Sequence, residues 1–252
     1  MTASLADDLV TYVASRPRRV ETVFIGQAFT AVKLTSGDVG LALTPLSRFD
    51  SCIGASRLAG TFTRRSSAEL ARFFCSSHSF LRQIGLAAIN SVLQRELKKK
   101  SDFLEGDFLD FLQIKPSDKV ATVDYYTTKI EALKETDLTI FDDRFAGKRK
   151  DIPILPISKL REKLPKIDVV VLPPAFLDRI GEVTKFASSA REIVFAHPTI
   201  PPFPKPFFER GVTMVASMII LNPDSVLKFV MEGAGTTMFK TFCKKIVFRA
   251  KS

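Results

Sequence analysis

One stretch limits what this chain can fold into more than any other: Ser79 to Leu97, SFLRQIGLAAINSVLQREL. At roughly 100° per residue, Leu86, Ile89 and Leu93 share a line with Arg82, while Ile84, Ala87, Ala88 and Val92 cover most of the remaining surface. A helix apolar on nearly every side is a buried helix. It nevertheless carries Arg82 and Asn90, whose donors cost a few kcal/mol if left unpaired in an apolar interior. Two readings stay open at this point. Either the pair braces neighbouring backbone, or it faces a cleft and a ligand.

On either side of this helix the sequence changes character. Leu5 to Ala14 forms a short amphipathic helix that the Arg16-Pro17 pair ends. Val20 to Gly26, Phe29 to Leu34 and Val39 to Thr44 read as strands, the last two joined by a Thr35-Ser36-Gly37-Asp38 hairpin signal. Pro45 to Thr63, rich in Ser, Gly, Arg and Thr, is a long irregular connection of the kind that often carries function. Ser66 or Ser67 caps a helix reaching about Phe74, with Glu69 near the capping-box position. Strands followed by helices make an α+β unit over residues 1–100, closed by the charged run Glu96 to Asp102.

From Phe103 a short helix leads into a regular rhythm. Strands at Lys119–Asp124, Leu138–Phe141, Asp168–Leu172, Glu192–Ala196 and Val212–Ile220 alternate with helices near Tyr126–Lys134, Ile157–Lys163, Phe176–Ala187, Phe207–Arg210 and Asp224–Glu232. A last strand covers Lys245–Phe248. Strands apolar on both faces and separated by helices mean a parallel sheet covered on two sides. Residues 101–252 therefore read as a Rossmann-like domain, and the chain as a two-domain α/β protein.

Composition narrows the setting. With 46% apolar residues the chain can bury a substantial core, and no apolar run reaches the length of a membrane span. The N-terminus carries Asp7 and Asp8 rather than a basic region before an apolar one, so no signal peptide is expected. Cys52, Cys75 and Cys243, odd in number and widely spaced, suit a reducing cytoplasm better than a disulfide framework. The net charge of +10 and pI near 9.6 raise the question of nucleic acid. The basic residues at Lys98–Lys100, Lys148–Lys150 and Lys244–Lys251 sit at expected element ends, and none interleaves with aromatics as an RNA-recognition sheet requires.

Ligands of parallel α/β sheets bind beyond the carboxyl ends of the strands, near the switch in strand order. The residues there are Asp124 with Tyr125 and Tyr126, Asp142 with Asp143, Pro173 with Pro174, and His197 with Pro198 and Thr199. Asp142 stands where an acidic residue would hold a ribose hydroxyl pair, unless it only caps a turn. The first strand runs into Asp124-Tyr125-Tyr126-Thr127-Thr128, with no glycine to admit a pyrophosphate and an aspartate to repel it. A dinucleotide is therefore not expected. A nucleoside or pterin-like ring stacking on Tyr125 or Tyr126 is compatible. His197 opens a proline-fixed loop, His197 to Pro204, and suits acid–base work or metal ligation, or plain loop hydrogen bonding. Cys75-x-x-His78 has ligand-like spacing but no second pair to complete a tetrahedral zinc site. Gly233-Ala234-Gly235 fits an anion-binding nest or, more simply, a helix C-cap.

Arg82 followed by Gly85-Leu86-Ala87-Ala88-Ile89-Asn90 resembles the "putative heavy-metal chelation" family of unknown function, whose members join an enolase-N-terminal-like domain to a Rossmann-like one. Similar features recur at Ala28–Val32, Gly40–Thr44, His197-Pro198-Thr199, Phe208–Val212 and Glu232-Gly233-Ala234-Gly235. The resemblance implies a small α+β enolase-N-terminal-like domain, a Rossmann-like domain, and an interdomain cleft that handles a pterin-, flavin- or siderophore-like metabolite, with a metal ion where the chemistry calls for one. Thr44, Arg82 and Asn90 would come from the first domain; Asp124, Tyr125, Asp142, Pro198, Thr199, Glu232 and Gly233 from the second. Three ligand-facing loops depart from the family pattern. Asp124 stands where glycine is usual, Leu172-Pro173-Pro174-Ala175-Phe176 replaces a Thr-Gly loop, and His197 replaces the glycine before the Pro-Ser pair.

Two functional expectations follow. In the first, a small-molecule binder or enzyme of condensation or hydrolysis type uses Asp142 to orient the ligand, Arg82 to neutralise an anionic group and His197 as acid or base. In the second, a non-catalytic basic protein binds nucleic acid or an acidic partner, with affinity falling steeply in salt. The edge strand Lys245–Phe248 also offers pairing between subunits of a homo-oligomer.

Overall fold

A computed structural model describes residues 4–45, 57–99, 102–124, 127–148 and 151–251, with Thr127 and Thr128 described in backbone only. The chain divides into two compact units, each drawn from several segments. The first comprises Met1–Glu105, Pro198–Phe203 and Ser217–Ile246; the second comprises Gly106–His197, Pro204–Ala216 and Val247–Ser252.

In the first unit, α1 (Leu5–Ala14) starts from a capping box in which Ser4 and Asp7 bond reciprocally. An antiparallel sheet of β1 (Val20–Ile25), β2 (Phe29–Leu34) and β3 (Val39–Leu43) follows, in that order. Its hairpin turns at Gly37, whose φ of 85° needs no Cβ to accommodate. Ser66 then caps α2 (Ser67–Ala71) through a second capping box with Glu69, and α3 spans Ser79–Leu97 as the periodicity requires.

Thirteen of the nineteen residues of α3 are buried, on all of its sides. Two glycines allow backbone to meet backbone around it. A Cβ on Gly40 of β3 would lie 2.0 Å from the Ser91 nitrogen, and one on Gly85 would lie 2.2 Å from the Phe74 nitrogen. The polar residues of α3 hold distant chain. Asn90 Nδ2 donates to the carbonyls of Leu41 (2.8 Å) and Thr199 (2.9 Å). One turn on, Gln94 Nε2 donates to Met218 O at 2.7 Å, and its Oε1 accepts from Ile220 N at 2.9 Å. Three of these bonds, to Thr199, Met218 and Ile220, tie segments 198–203 and 217–246 to the N-terminal hundred residues, with which they group. Phe29, Leu41, Met218, Val226, Val230 and Phe239 share one apolar cluster there.

The remaining strands, β4 (Leu104–Glu105), β5 (Lys119–Val123), β6 (Asp137–Phe141), β7 (Ile154–Leu155), β8 (Val169–Leu172), β9 (Glu192–Ala196), β10 (Met214–Ile220) and β11 (Cys243–Arg249), form an eight-stranded sheet ordered β4-β11-β10-β9-β8-β5-β6-β7. The pairs β7/β6, β6/β5, β5/β8, β8/β9 and β9/β10 are parallel. The helices between them are α4 (Phe108–Phe111), α5 (Thr127–Leu133), α6 (Leu160–Lys163), α7 (Ile180–Phe186), α8 (Lys205–Phe208) and α9 (Pro223–Met231). One face of the parallel strands, led by Val120, Ile140, Val169, Val171 and Val194, packs on Phe108, Leu112, Ile130 and Leu133. Two strands escape the sequence reading, β4 and β7, each two residues long. The segments expected as helices near Ile157 and Phe176 begin as 3-10 turns. No helix among the described residues is long and apolar enough to cross a membrane.

Candidate functional site

The second unit builds its polar centre at the carboxyl ends of the parallel strands. From β5 the chain steps outward through β6 and β7, and from β8 it steps the other way through β9 and β10. The neighbours β5 and β8 therefore mark the reversal in strand order, where ligands of such sheets sit.

Asp124 follows β5 directly. Its φ of 67° is the sole positive value at a non-glycine residue among the described residues. The left-handed region crowds any Cβ, and aspartate is one of the few side chains that enter it, at a cost of about 1 kcal/mol. This is the position at which the resemblance leads one to expect glycine, and the backbone shows why. The Asp124 side chain is only 26% exposed, and its nearest cationic atom, Arg144 Nη2, lies 3.8 Å away, beyond hydrogen-bond distance. No hydrogen bond to this carboxylate is formed among the described residues. Burial pushes its pKa up; the Arg144 and Lys129 charges pull it back, and the Asp142 charge reinforces the rise.

Arg144 spends its fork on Asp142. Nε donates to Oδ1 at 3.1 Å and Nη2 to Oδ2 at 2.8 Å, while the Arg144 backbone N–H adds a bond to Oδ1 at 2.8 Å. Asp142 is buried, so this bidentate grip compensates its lost hydration. It is a positioned anchor for Arg144 rather than an open carboxylate awaiting a ribose. Asp143, beside it, accepts from Ile157 N at 2.8 Å and ties down the next turn.

On the same edge, Lys129 Nζ donates to the Ala196 carbonyl at 3.2 Å and lies 5.4 Å from the centre of the Phe108 ring. His197, the next residue, is buried, and its backbone N–H reaches Ala216 O at 3.2 Å. Burial, with the Lys129 charge adding to it, lowers the imidazole pKa to about 3. Such a ring is neutral at physiological pH and a weak base. It is not equipped for the acid–base role its position in the sequence suggests. It suits neutral hydrogen bonding.

Arg144 and Lys129 were not marked by sequence reasoning. The only signal for Arg144 is its place two residues past the aspartate that follows β6; for Lys129, its place in the first turn of the helix after β5. Tyr125 and Tyr126, expected as stacking faces, lie outside the described residues, as does Cys52.

The other expected ligands belong to the first unit. Asn90 uses both amide hydrogens on backbone carbonyls, which is the bracing reading of that residue; its Oδ1 is buried with no hydrogen-bond partner. Arg82 is half-buried and lies 5.6 Å from the centre of the Phe74 ring, so the first turn of α3 is not sealed in the core. Thr44 shares a 3.2 Å hydroxyl contact with Thr30. Thr199 is fully buried and gives its carbonyl to Asn90; Pro198 is half-buried. Glu232 and Gly233 end α9. Gly233 N and Ala234 N bond to Val230 O and Phe229 O at 3.1 and 2.9 Å, a helix C-cap that leaves neither N–H for an anion.

Among the described residues the donor set does not fit a heavy-metal ion held by side chains. Among the described residues no three His, Cys, Asp or Glu side chains converge on one point. His78 accepts a bond from Leu81 N through Nδ1 at 3.5 Å, as the N-cap of α3. Burial pushes the Cys243 thiol up to about 12 and raises that of Cys75 as well. The buried carboxylates Asp38, Asp118 and Glu192 are held by Lys98, Arg191 and Arg249.

Comparison with known proteins places this architecture. The chain matches a solved protein of unknown function of the DUF364 family from Desulfitobacterium hafniense, at 17% identity over 98% of this chain and 97% of that one, with a TM-score of 0.79. It also matches a DUF364 protein of unknown function from Pyrococcus horikoshii, at 19% identity over 98% and 100%, with a TM-score of 0.78. At these identities the likeness establishes the fold. No curated protein matches the chain. Two family models, DUF4213 over residues 7–93 and DUF364 over residues 107–249, match it, and both are described as "putative heavy-metal chelation". The chain belongs to this two-part family, whose function is unknown.

Proposed function

We propose that this protein binds a small ring-bearing metabolite of pterin, flavin or siderophore type at the carboxyl edge of its parallel sheet, and that any metal it handles arrives on that ligand. The observation that carries the reading is Asp124. It is a part-buried carboxylate with no hydrogen bond among the described residues, held in a left-handed backbone at the reversal of strand order. A part-buried carboxylate whose nearest cation stands beyond hydrogen-bond distance is stabilised by a ligand presenting N–H or O–H donors. Arg144, anchored on Asp142, fixes the charge beside it. Metal delivery on an organic chelator fits a family described by chelation and a chain whose described side chains make no metal cage.

Binding is the better-supported half of this reading. Condensation or hydrolysis of the ligand would need a proton-transfer group, and the neutral, buried His197 is a poor one. Free thiols at Cys75 and Cys243 suit a reducing cytoplasm. Native mass spectrometry of the freshly purified chain tests the proposal. A small organic mass should accompany the wild type and be lost in Asp124→Asn; its absence from the wild type, or its retention by the variant, would refute the assignment.

A further inference from the structure

A second feature, in the first unit, points to a different partner. Residues 57–82 carry five arginines, Arg57, Arg64, Arg65, Arg72 and Arg82, against one acid, Glu69. This stretch of 26 residues thus supplies four of the ten net positive charges of the whole chain (5 − 1 = 4). Five arginines elsewhere have acidic partners: Arg95 with Asp38, Arg144 with Asp142, Arg179 with Glu182, Arg191 with Asp118, Arg249 with Glu192. Arg57, Arg64, Arg65 and Arg72 form no ion pair among the described residues. Glu69 is itself committed to the capping box of α2.

The hydrogen-bonding groups of this stretch repeat the imbalance. Among the described residues, Arg65 Nε, His78 Nε2 and Ser79 Oγ are shielded from solvent and have no hydrogen-bond partner. His78 Nδ1 accepts from Leu81, so the neutral ring carries its proton on Nε2 and that atom can only donate. Arg65 Nε can only donate as well. Exposed guanidinium groups that form no ion pair among the described residues, Arg64 and Arg72 foremost, call for oxyanions.

The arrangement also says which kind. The guanidinium groups are spread over a turn, the 3-10 helix Phe62–Arg64, the 3-10 helix Arg72–Cys75 after α2 and the first turn of α3, so they suit an extended polyanion better than one phosphate. Arg65 and Arg82 lie 5.6 Å from the ring centres of Phe73 and Phe74, and Phe62 packs edge-on to Phe73 at 6.3 Å. Guanidinium planes supported by aromatic rings are pre-ordered for phosphate contact. A membrane surface is disfavoured. The exposed large apolar side chains are Ile25, Leu104, Phe145, Leu221, Met231 and Met238, and none falls in this stretch to anchor it.

We propose that residues 57–82 form a binding surface for the phosphate backbone of single-stranded nucleic acid. The test is fluorescence anisotropy of a labelled oligouridylate with the full chain over a salt series. Arg64→Ala/Arg72→Ala is compared with Lys163→Ala/Lys166→Ala, which removes the same charge from the second unit. All four side chains are exposed, and far-UV circular dichroism checks the fold of each variant. The arginine pair should weaken binding about tenfold and make the log–log salt slope shallower by about 1.4, at about 0.7 per lost phosphate contact, while the lysine pair changes affinity less than about twofold. Three results would overturn the proposal: no binding at low salt, equal losses in both variants, or displacement of the RNA by polyglutamate or anionic vesicles at matched charge.

Discussion

The buried imidazole of His197 makes a sharp demand on the stability of the protein at mild acidity. Its pKa falls from 6.5 in the open chain to about 3 in the fold. Because the folded value is the lower one, the full stability is present above the unfolded pKa and is lost as pH falls from 6.5 toward 3. Below pH 6 the loss approaches about 1.4 kcal/mol per pH unit, reaching about 2 kcal/mol at pH 5. Carboxylates titrate over part of the same range, so only a difference isolates the ring. Wild type, His197→Asn and His197→Gln would be unfolded in urea at pH 7.5 and at pH 5, with far-UV circular dichroism as the signal because the chain has no tryptophan. Two variants are used so that at least one amide matches the hydrogen-bonding nitrogen of the native ring. With an m value of about 3 kcal/mol/M, the wild-type midpoint should drop about 0.7 M further than that of the variants. Equal pH sensitivity in all three proteins would show that His197 exchanges protons freely in the fold, and the burial argument would fail.

Three further outcomes are expected. Gly40→Ala forces a methyl into the backbone of α3 at Ala87–Ser91 and should destabilise the protein by about 3 kcal/mol or more; a melting temperature near wild type would contradict the contact. Asn90→Ala strips donors from the Leu41 and Thr199 carbonyls and should cost about 2–4 kcal/mol in urea unfolding, whereas a loss below about 1 kcal/mol would mean that water replaces the amide. Asp124→Asn should be at least as stable as wild type at pH 7. The native carboxyl has a raised pKa, so it costs stability when ionised and ceases to do so as pH falls toward its unfolded value of 3.8. The gap between the two proteins should therefore close on acidification; a gap that widens would reverse the sign of the burial effect.

Much of the fold is legible in the residues. The nineteen-residue helix, the hairpin at Gly37 and the capping Ser66 each announce themselves through a local rule that packing then reinforces. The strands β4 and β7 do not, because two residues cannot display a period. Asp142 and His197 are recognisable as strand-end residues, yet their environments depend on neighbours that strand alternation cannot supply: the fork of Arg144 for one, the charge of Lys129 for the other. The left-handed backbone of Asp124 leaves a trace only as a missing glycine. The arginines of residues 57–82 are hard to see as one surface because they are dispersed over several short elements. Asn90 was visible as a polar residue in an apolar helix, but the carbonyls that claim it lie 49 and 109 positions away.

That last distance has a consequence for how the chain is made. While the ribosome has released only the first hundred residues, Asn90 can reach Leu41, but the carbonyl of Thr199 and the strand that Gln94 grips have yet to be synthesised. The central helix must wait, solvated or chaperoned, until about half of the polypeptide has emerged behind it. A fragment cut after residue 100 would look complete by its local elements and would still be missing the pieces that close its interior.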